Sequence, residues 1–547
     1  MNHPTFHTET FRPYELLEHW AKVQPDRAAL KTLTHTLTFS QLLKGVESAA
    51  IELQAIGIKP ADVVAFQVPN WTEAFVLYHA CLHVDAIALP LLPALRDRDL
   101  SYMLQEAQAR LFITPALWRD VDYRAMAKRV CSTNTLTAVM RNPHESGQLL
   151  NEVEPGEALH VATQSPFPAT LGGPPGTPDA VCSLIFTSGT SGRPKSVLYT
   201  HRGLATEGRE MALVDHICTA DVLFVPPSIG HVSGLSFGIY MALHVGATVC
   251  LLPDWNPQSA LALIKREHCS WTAGATPFLQ GLVNASQVES GALASLRVFR
   301  CGGASVPPAL IRQARALGID AYRSYGLSEH PTVSGRAGQP DDVCMHADGV
   351  VHPLIEIRIV DPKDASLDMP LGAEGEILTR GPDLSLAYLR EADTTSSRIG
   401  GWLMTGDLGT LSADRVLRVT GRKKDIIIRK GENISAREIE DLLAEHPAVA
   451  DVAVVGTPDL ERGEMVCCVV VTQEGQTPPT LVQLCRYLLE QGLTGFKQPE
   501  RLVLMPLLPY NAGGKVRKQE LRALLAEQVL PPQHLQSSSS DPAIPQT

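Results

Sequence analysis

From about Pro13 to Arg418 the chain alternates segments of helical period with short, unbroken apolar runs, among them "ADVVAFQV", "ARLFITP", "VCSLIF", "ATVCLLP" and "LRVFRCG". Alternation of this kind predicts an α/β architecture with largely parallel sheets, whose strands are buried on both faces. One helix is well marked: Pro307-Pro308 precede "ALIRQARALG", which places proline in the first turn and Gly318 at the stop. "IDAYRSYG" then reads as a strand ending in glycine. Ligands bind beyond the carboxyl ends of strands in such sheets, so Gly302-Gly303 and Tyr325-Gly326 mark places where a ligand would sit.

A second unit begins near Gly421. Ser435 and Glu438 form the pattern of a capping box opening the helix "REIEDLLAEH", and "VADVAVVG" and "EMVCCVVVT" read as strands, so roughly one hundred residues make a small α+β domain. From Leu530 onward the chain is rich in Pro, Ser and Gln without apolar periodicity, the composition of a disordered tail.

Length and charge narrow the function. At 547 residues the chain exceeds what one core usually supports, and its net charge of −11 argues against general affinity for nucleic acid or anionic membrane. Small molecules are the expected partners. The N-terminal stretch "MNHPTFHTETFRPYELLEHW" has neither a basic nor an apolar leader segment, and no apolar run is long enough to span a bilayer, so the expected location is the cytoplasm. Eleven cysteines without C-x-x-C spacing give no zinc or redox motif; Cys467-Cys468 sits in a buried-strand pattern and reads as core.

The stretch Thr187 to Lys195, "TSGTSGRPK", packs two glycines, four hydroxyls, one proline and two cations into nine residues after an apolar run. Glycine admits close backbone approach, and successive N–H groups form an anion-binding concavity, so phosphate is the natural guest. It is not a Walker loop, because Lys195 follows Pro194 and leads into "SVLYT", another strand rather than a helix. The pattern predicts a hairpin tip over a ligand.

Four further stretches follow in order: "CGGAS" from Cys301, "YGLSE" from Tyr325, "TGD" from Thr405 with "GRKKDIIIRKGENISAREIE" from Gly421, and "LPYNAGGKVRK" from Leu508. Together with the loop they resemble the adenylate-forming (AMP-binding) superfamily of acyl-CoA synthetases, peptide-synthetase adenylation domains and beetle luciferases, over nearly the whole chain up to about residue 528. The resemblance implies a large N-terminal domain of stacked helix and sheet layers over residues 1–421 with ATP and acyl pockets, a small mobile α+β domain over 422–528, and a tail over 529–547. It also implies ATP, Mg2+ and CoA as cofactor and co-substrates, and a small carboxylic acid as partner; a homo-oligomer is left open.

Residue roles follow from the same likeness. Thr187, Ser188, Gly189, Thr190, Ser191, Gly192 and Lys195 would clamp the β- and γ-phosphates. Glu329, just past a strand end, suits Mg2+, which takes carboxylate oxygens and keeps positions for phosphate and water; Thr187 would join it. Gly302, Gly303, Ala304 and Ser305 would pass along the adenine, with Tyr325, Gly326 and Ser328 beside it. Asp407 would accept hydrogen bonds from the ribose hydroxyls, and Arg422 would add a cation near ribose and phosphate. Lys515 matches the family's catalytic lysine, Lys424 its hinge residue, and Gly431 the glycine beside the pantetheine tunnel.

Within the family, "PPSIGHVSGLSFG" carries His231 at the head of an apolar helix where amino-acid adenylation domains carry an aspartate. This resembles the Pro-x-x-His pattern of acyl-CoA synthetases, in which the histidine lines or gates the acyl pocket. Luciferase chemistry would need a lysine near Ile428. The motif variants look most like short- to medium-chain or cyclohexanecarboxylate-type acid:CoA ligases. A stand-alone adenylation enzyme loading a carrier protein is the alternative, and a nucleotide-binding regulator without turnover is disfavoured by Glu329, Asp407, Arg422 and Lys515.

Overall fold

The computed structural model describes residues 12–141, 148–155, 172–187, 193–289, 291–303, 306–430, 432–459, 461–510 and 515–527. It divides into two compact units that part between Val419 and Thr420.

The first unit holds two mixed sheets of eight described strands each. One runs in the order His330–Ser334, Asp320–Leu327, Val298–Gly302, Trp271–Gly274, Val222–Phe224, Thr248–Cys250, Ala28–Lys31 and Thr36–Thr38. Its interior pairs are parallel and its two edge pairs antiparallel. The second is ordered Ala387–Tyr388, Lys195–Thr200, Val181–Thr187, Ile87–Pro90, Val63–Phe66, Leu111–Pro115, Leu136–Met140 and Leu150–Pro155.

The apolar runs are explained by burial on both faces. In Val63–Phe66, Val64 and Phe66 join a core with Phe75 and Leu77, whereas Val63 and Ala65 join another with Leu100, Leu104 and Tyr123. Successive side chains point to opposite sides of a strand, so a sheet covered on both faces demands an unbroken apolar run.

The expectation of largely parallel sheets up to Arg418 fails beyond Val350. Asp364–Asp368, Glu356–Asp361, Gly375–Arg380, Trp402–Leu411 and Arg398–Ile399 form a separate sheet whose pairs along that order are all antiparallel. The physical reason is loop length: Asp361 and Asp364 are paired across a tight turn, and such short connections join only antiparallel neighbours, since a parallel return needs a crossover of about a dozen residues.

In the second unit Glu432–Ser435, Ile426–Arg429, Gly463–Thr472 and Val449–Asp459 form a sheet, with Arg501–Leu504 added in parallel to Gly463–Thr472. Cys467 packs with Leu508 and Leu521 on one face and Cys468 with Ile439 and Leu484 on the other. Burial pushes the Cys467 thiol up to about 11, so it stays protonated and packs as a hydrophobe. The helix Ala436–Leu443 is capped by Ser435, whose hydroxyl accepts from Glu438 N. The reciprocal half of the expected box is replaced, because Glu438 forms an ion pair with Lys497 at 2.7 Å.

Candidate active site

The loop from Thr187 to Lys195 closes a hairpin. Val181–Thr187 and Lys195–Thr200 pair antiparallel, and Thr187 opposite Lys195 is the last pair of the ladder. Ser188, Gly189, Thr190, Ser191 and Gly192 lie outside the described residues. Both flanking cations converge on one carboxylate: Arg193 and Lys195 each lie 3.5 Å from Asp393, on the helix Glu391–Ser397.

Register brings Glu329 to this hairpin. Lys195–Thr200 pairs on its other side with Ala387–Tyr388, Val197 opposite Tyr388. The Tyr388 phenol donates to Glu329 Oε1, and Lys195 Nζ lies 5.0 Å from the centre of the Tyr388 ring. Burial and the neighbouring Glu329 carboxylate push the Tyr388 hydroxyl far up, so it remains a donor. Ser385 N donates to Glu329 O at 2.8 Å, and Tyr199 donates its hydroxyl to Ser328 O. Arg398 donates to Ser385 O; burial lowers its pKa, and Tyr388 and Glu329 oppose that shift. Glu329 is thus held at its main chain and at one carboxylate oxygen, beside the base of the loop.

A second cluster stands at the ends of the first sheet. Tyr325 donates a 2.8 Å hydrogen bond to Asp407 Oδ2, both residues being buried. Gly406 has φ +69°, and Thr405 Oγ1 accepts from Asp407 N at 3.0 Å, which turns the carboxylate inward. The glycines have structural causes of their own. A Cβ on Gly302 would lie 2.5 Å from Ser324 Oγ, and one on Gly326 would lie 1.9 Å from Pro331 O, so the crowding at both comes from the protein's own strands. Gly303 has open space around it and a φ of +83°. Ala304 and Ser305 lie outside the described residues. The strand carrying Tyr325 continues past Gly326 to Leu327.

His231 stands on a third segment, ahead of a short helix. It caps the helix Val232–Leu235, its Nδ1 accepting from Ser233 N at 3.3 Å and bonding Ser233 Oγ at 2.7 Å. The helix continues as a π-helical turn, Ser236–Met241, a form that recurs at functional sites. Asn70 fixes the preceding segment, donating to Pro227 O and accepting from Ile229 N.

In the second unit Arg422 ends the strand Leu417–Arg422, and Lys424 lies in the 3-10 turn Lys423–Asp425. Lys430 takes φ +50° at the tip of the hairpin formed by Ile426–Arg429 and Glu432–Ser435, and Gly431 lies outside the described residues. Lys515 immediately precedes Val516, which forms a β-bridge with Tyr510, and Arg517 N donates to Pro509 O at 2.8 Å.

Sequence reasoning missed Tyr388, Asp393 and Arg398. Their stretch, "AYLREADTTSSR", carries no glycine-rich motif; the pairing of Val197 with Tyr388 brings it to Glu329. For a divalent cation, Glu329 and the partly exposed Thr187 hydroxyl supply oxygen donors, and among the described residues no group of three or more His, Cys, Asp or Glu is arranged to hold a metal ion. Such a sparse donor set suits Mg2+, which prefers one or two carboxylates plus substrate phosphates to an all-protein cage.

Residues 17–389 match the AMP-binding enzyme family and residues 438–515 the AMP-binding enzyme C-terminal domain. The chain is 32% identical to a medium-chain fatty-acid–CoA ligase of Escherichia coli over 519 residues, covering 93% of this chain and 90% of that protein. It is 29% identical to a 2,3-dihydroxybenzoate-AMP ligase of Bacillus subtilis over 527 residues, covering 95% of each. Among solved structures it resembles ATP-bound MatB from Rhodopseudomonas palustris, with a TM-score of 0.80, 26% identity and coverage of 93% of this chain and 98% of that one. No described helix is long and apolar enough to cross a membrane. Motifs, layered α/β fold and these likenesses agree: the chain belongs to the AMP-binding enzyme family, within the adenylate-forming superfamily.

Proposed function

We propose that the protein is an acid:CoA ligase. A carboxylate oxygen of the acid attacks the α-phosphorus of ATP and pyrophosphate leaves, giving acyl-AMP; the CoA thiol then attacks the acyl carbon, AMP leaves, and the thiol proton is released. The observation that carries this reading is the joining of Glu329, Tyr388 and Lys195 at the base of the hairpin loop. Carboxylate and triphosphate repel one another, so the first step needs preorganised positive charge. Lys195 and the loop amides would face the leaving pyrophosphate, and Glu329 with Thr187 would hold Mg2+, which supplies Lewis-acid neutralisation of phosphate charge.

Tyr325 and Asp407 would receive adenine and ribose, the aromatic face stacking and the carboxylate accepting from hydroxyls. Arg422 and Lys515 would act from the second unit, Lys515 on charge developing at the reacting centre. Lys424 would serve as hinge and Gly431 would flank the thiol's path. The acid is a short- to medium-chain, alicyclic or related carboxylic acid, with His231 at the mouth of its pocket. The 2,3-dihydroxybenzoate-AMP ligase likeness keeps a second reading, an adenylating enzyme that loads a carrier protein. Pyrophosphate release over a panel of carboxylic acids, with and without CoA, tests both. Acyl-CoA formation supports the first reading, acid-dependent pyrophosphate without acyl transfer to CoA supports the second, and ADP with phosphate overturns both.

A further inference from the structure

The segments that hold Glu329 also carry a buried carboxylate pair that the chemistry above does not use. Glu207 is 1% exposed and Asp383 5%, with His330 wholly enclosed beside them. Glu207 belongs to the helix His201–Val214, which directly follows the strand Lys195–Thr200 leaving the phosphate loop. Its Oε1 accepts from the Thr332 hydroxyl, while its Oε2 is buried and receives no hydrogen bond from a described donor. What it meets is Asp383, another carboxylate, within hydrogen-bonding reach. Two carboxylates in a site closed to water are tolerated only when a proton is shared between them.

Asp383 in turn lies 3.2 Å from His330 Nε2, and His330 Nδ1 bonds Thr379 Oγ1 at 2.9 Å. Gly381 leaves room for this packing, since a Cβ there would lie 3.0 Å from both Asp383 Oδ1 and His330 Nε2. His330 is the neighbour of Glu329 in the chain. The segment holding Asp383 also supplies Ser385 N to the Glu329 carbonyl and the Tyr388 hydroxyl to the Glu329 carboxylate.

We propose that Glu207 is a positioning residue for adenylate formation: through a proton shared with Asp383 it latches residues 381–388 against His330 and so fixes Glu329 relative to the phosphate hairpin. The proposal rests on the ligase reading, in which Glu329 holds the metal. Burial and the Asp383 charge push the Glu207 carboxyl well up, and Arg300 opposes them. Burial also works to raise Asp383, but His330, the hydrogen bond from Glu207 and a main-chain donor together more than offset it and hold Asp383 low. The charge of Glu207 also couples to Tyr199, and that of Asp383 to Glu210 and His352. The proton therefore resides on Glu207, and raising the pH would remove it, leaving two repelling anions and a loosened segment.

The test measures acid-dependent exchange of pyrophosphate into ATP against Mg2+ concentration, from mildly acidic to alkaline pH, in the full chain and its Glu207 variants. Wild type should lose exchange on the alkaline side. In Glu207→Gln the amide N–H replaces the shared proton permanently, so exchange should persist and its alkaline decline should vanish. Glu207→Ala should raise the Mg2+ concentration for half-maximal exchange about tenfold, as expected for losing a buried hydrogen bond to a charged group. Infrared difference spectra give a readout independent of turnover: a protonated-carboxyl C=O band in wild type at neutral pH, absent from Glu207→Gln. An active wild type that lacks the protonated-carboxyl band, or whose Glu207→Gln variant keeps the same alkaline decline, overturns the proposal alone. A wild type that binds ATP but gives no exchange with any acid overturns the ligase reading on which it stands.

Discussion

Tyr325, on the strand Asp320–Leu327, donates its phenolic hydrogen to Asp407 Oδ2 at 2.8 Å, tying the end of the parallel sheet to the antiparallel sheet that follows it. The two residues proposed to receive adenine and ribose are therefore mechanically linked. A buried carboxylate that loses a donor bears the cost of desolvation, so Tyr325→Phe should destabilise the protein by about 1.5–3 kcal/mol. Urea unfolding reads this loss, and weaker AMP binding by calorimetry should accompany it. A variant of wild-type stability and affinity would separate Asp407 from the nucleotide.

Tyr388→Phe removes the donor from Glu329 while leaving the ring under Lys195 and within the core. The expected outcome is an approximately tenfold rise in the Mg2+ requirement of pyrophosphate exchange, from a hydrogen bond to a charged group worth about 1.5–3 kcal/mol. Titrating Mg2+ at saturating ATP measures it. An unchanged requirement would place the metal elsewhere.

Lys515→Ala should lower acyl-AMP formation by about 100- to 1000-fold, the usual loss for one preorganised charge-stabilising donor. Transfer to CoA from supplied acyl-AMP should stay near wild type. Equal losses in the two half-reactions would remove Lys515 from the adenylation step.

Asp215 is fully buried and accepts from Trp271 Nε1 at 2.8 Å and from Arg300 at 3.2 Å, with the Tyr322 hydroxyl also donating to it. Burial pushes its carboxyl up, and the Arg300 guanidinium with these hydrogen bonds more than offsets that, leaving it below the ordinary Asp value. A depressed native pKa means that the unfolded chain takes up the proton first as pH falls. The stabilisation is present above the ordinary Asp range and is lost as pH drops through the native value. Asp215→Ala should cost about 3–5 kcal/mol by stranding the buried Arg300 charge. Urea midpoints against pH should show a shallower acid decline in this variant than in wild type.

Several elements of the fold are written in neighbouring residues. Apolar runs such as Val63–Phe66 must be covered on both faces because alternate side chains point in opposite directions. The pattern around Thr187–Lys195 specifies a hairpin because strand-forming residues stand on both sides of a glycine-rich tip. Local composition also located the helix after Pro307-Pro308, whose stop lies where Gly318 adopts φ +86°. These are short-range facts, written in neighbouring residues.

Which groups meet is a property of the packed molecule. Tyr388 reaches Glu329 across 59 positions of sequence because Ala387–Tyr388 adds to the hairpin strand, and strand order is a property of the sheet rather than of either segment. The antiparallel sheet after Val350 escaped the reading because alternation of runs does not encode direction; connection length does. Glu438 reads as the partner of its own helix end until Lys497, 59 residues away, offers its carboxylate a full opposite charge. Glu207 stands in no motif, and its burial against Asp383 exists only once distant segments pack around it. Hydrophobic pattern is local, but charge compensation in a water-free interior is settled by whichever groups the fold brings within about 4 Å.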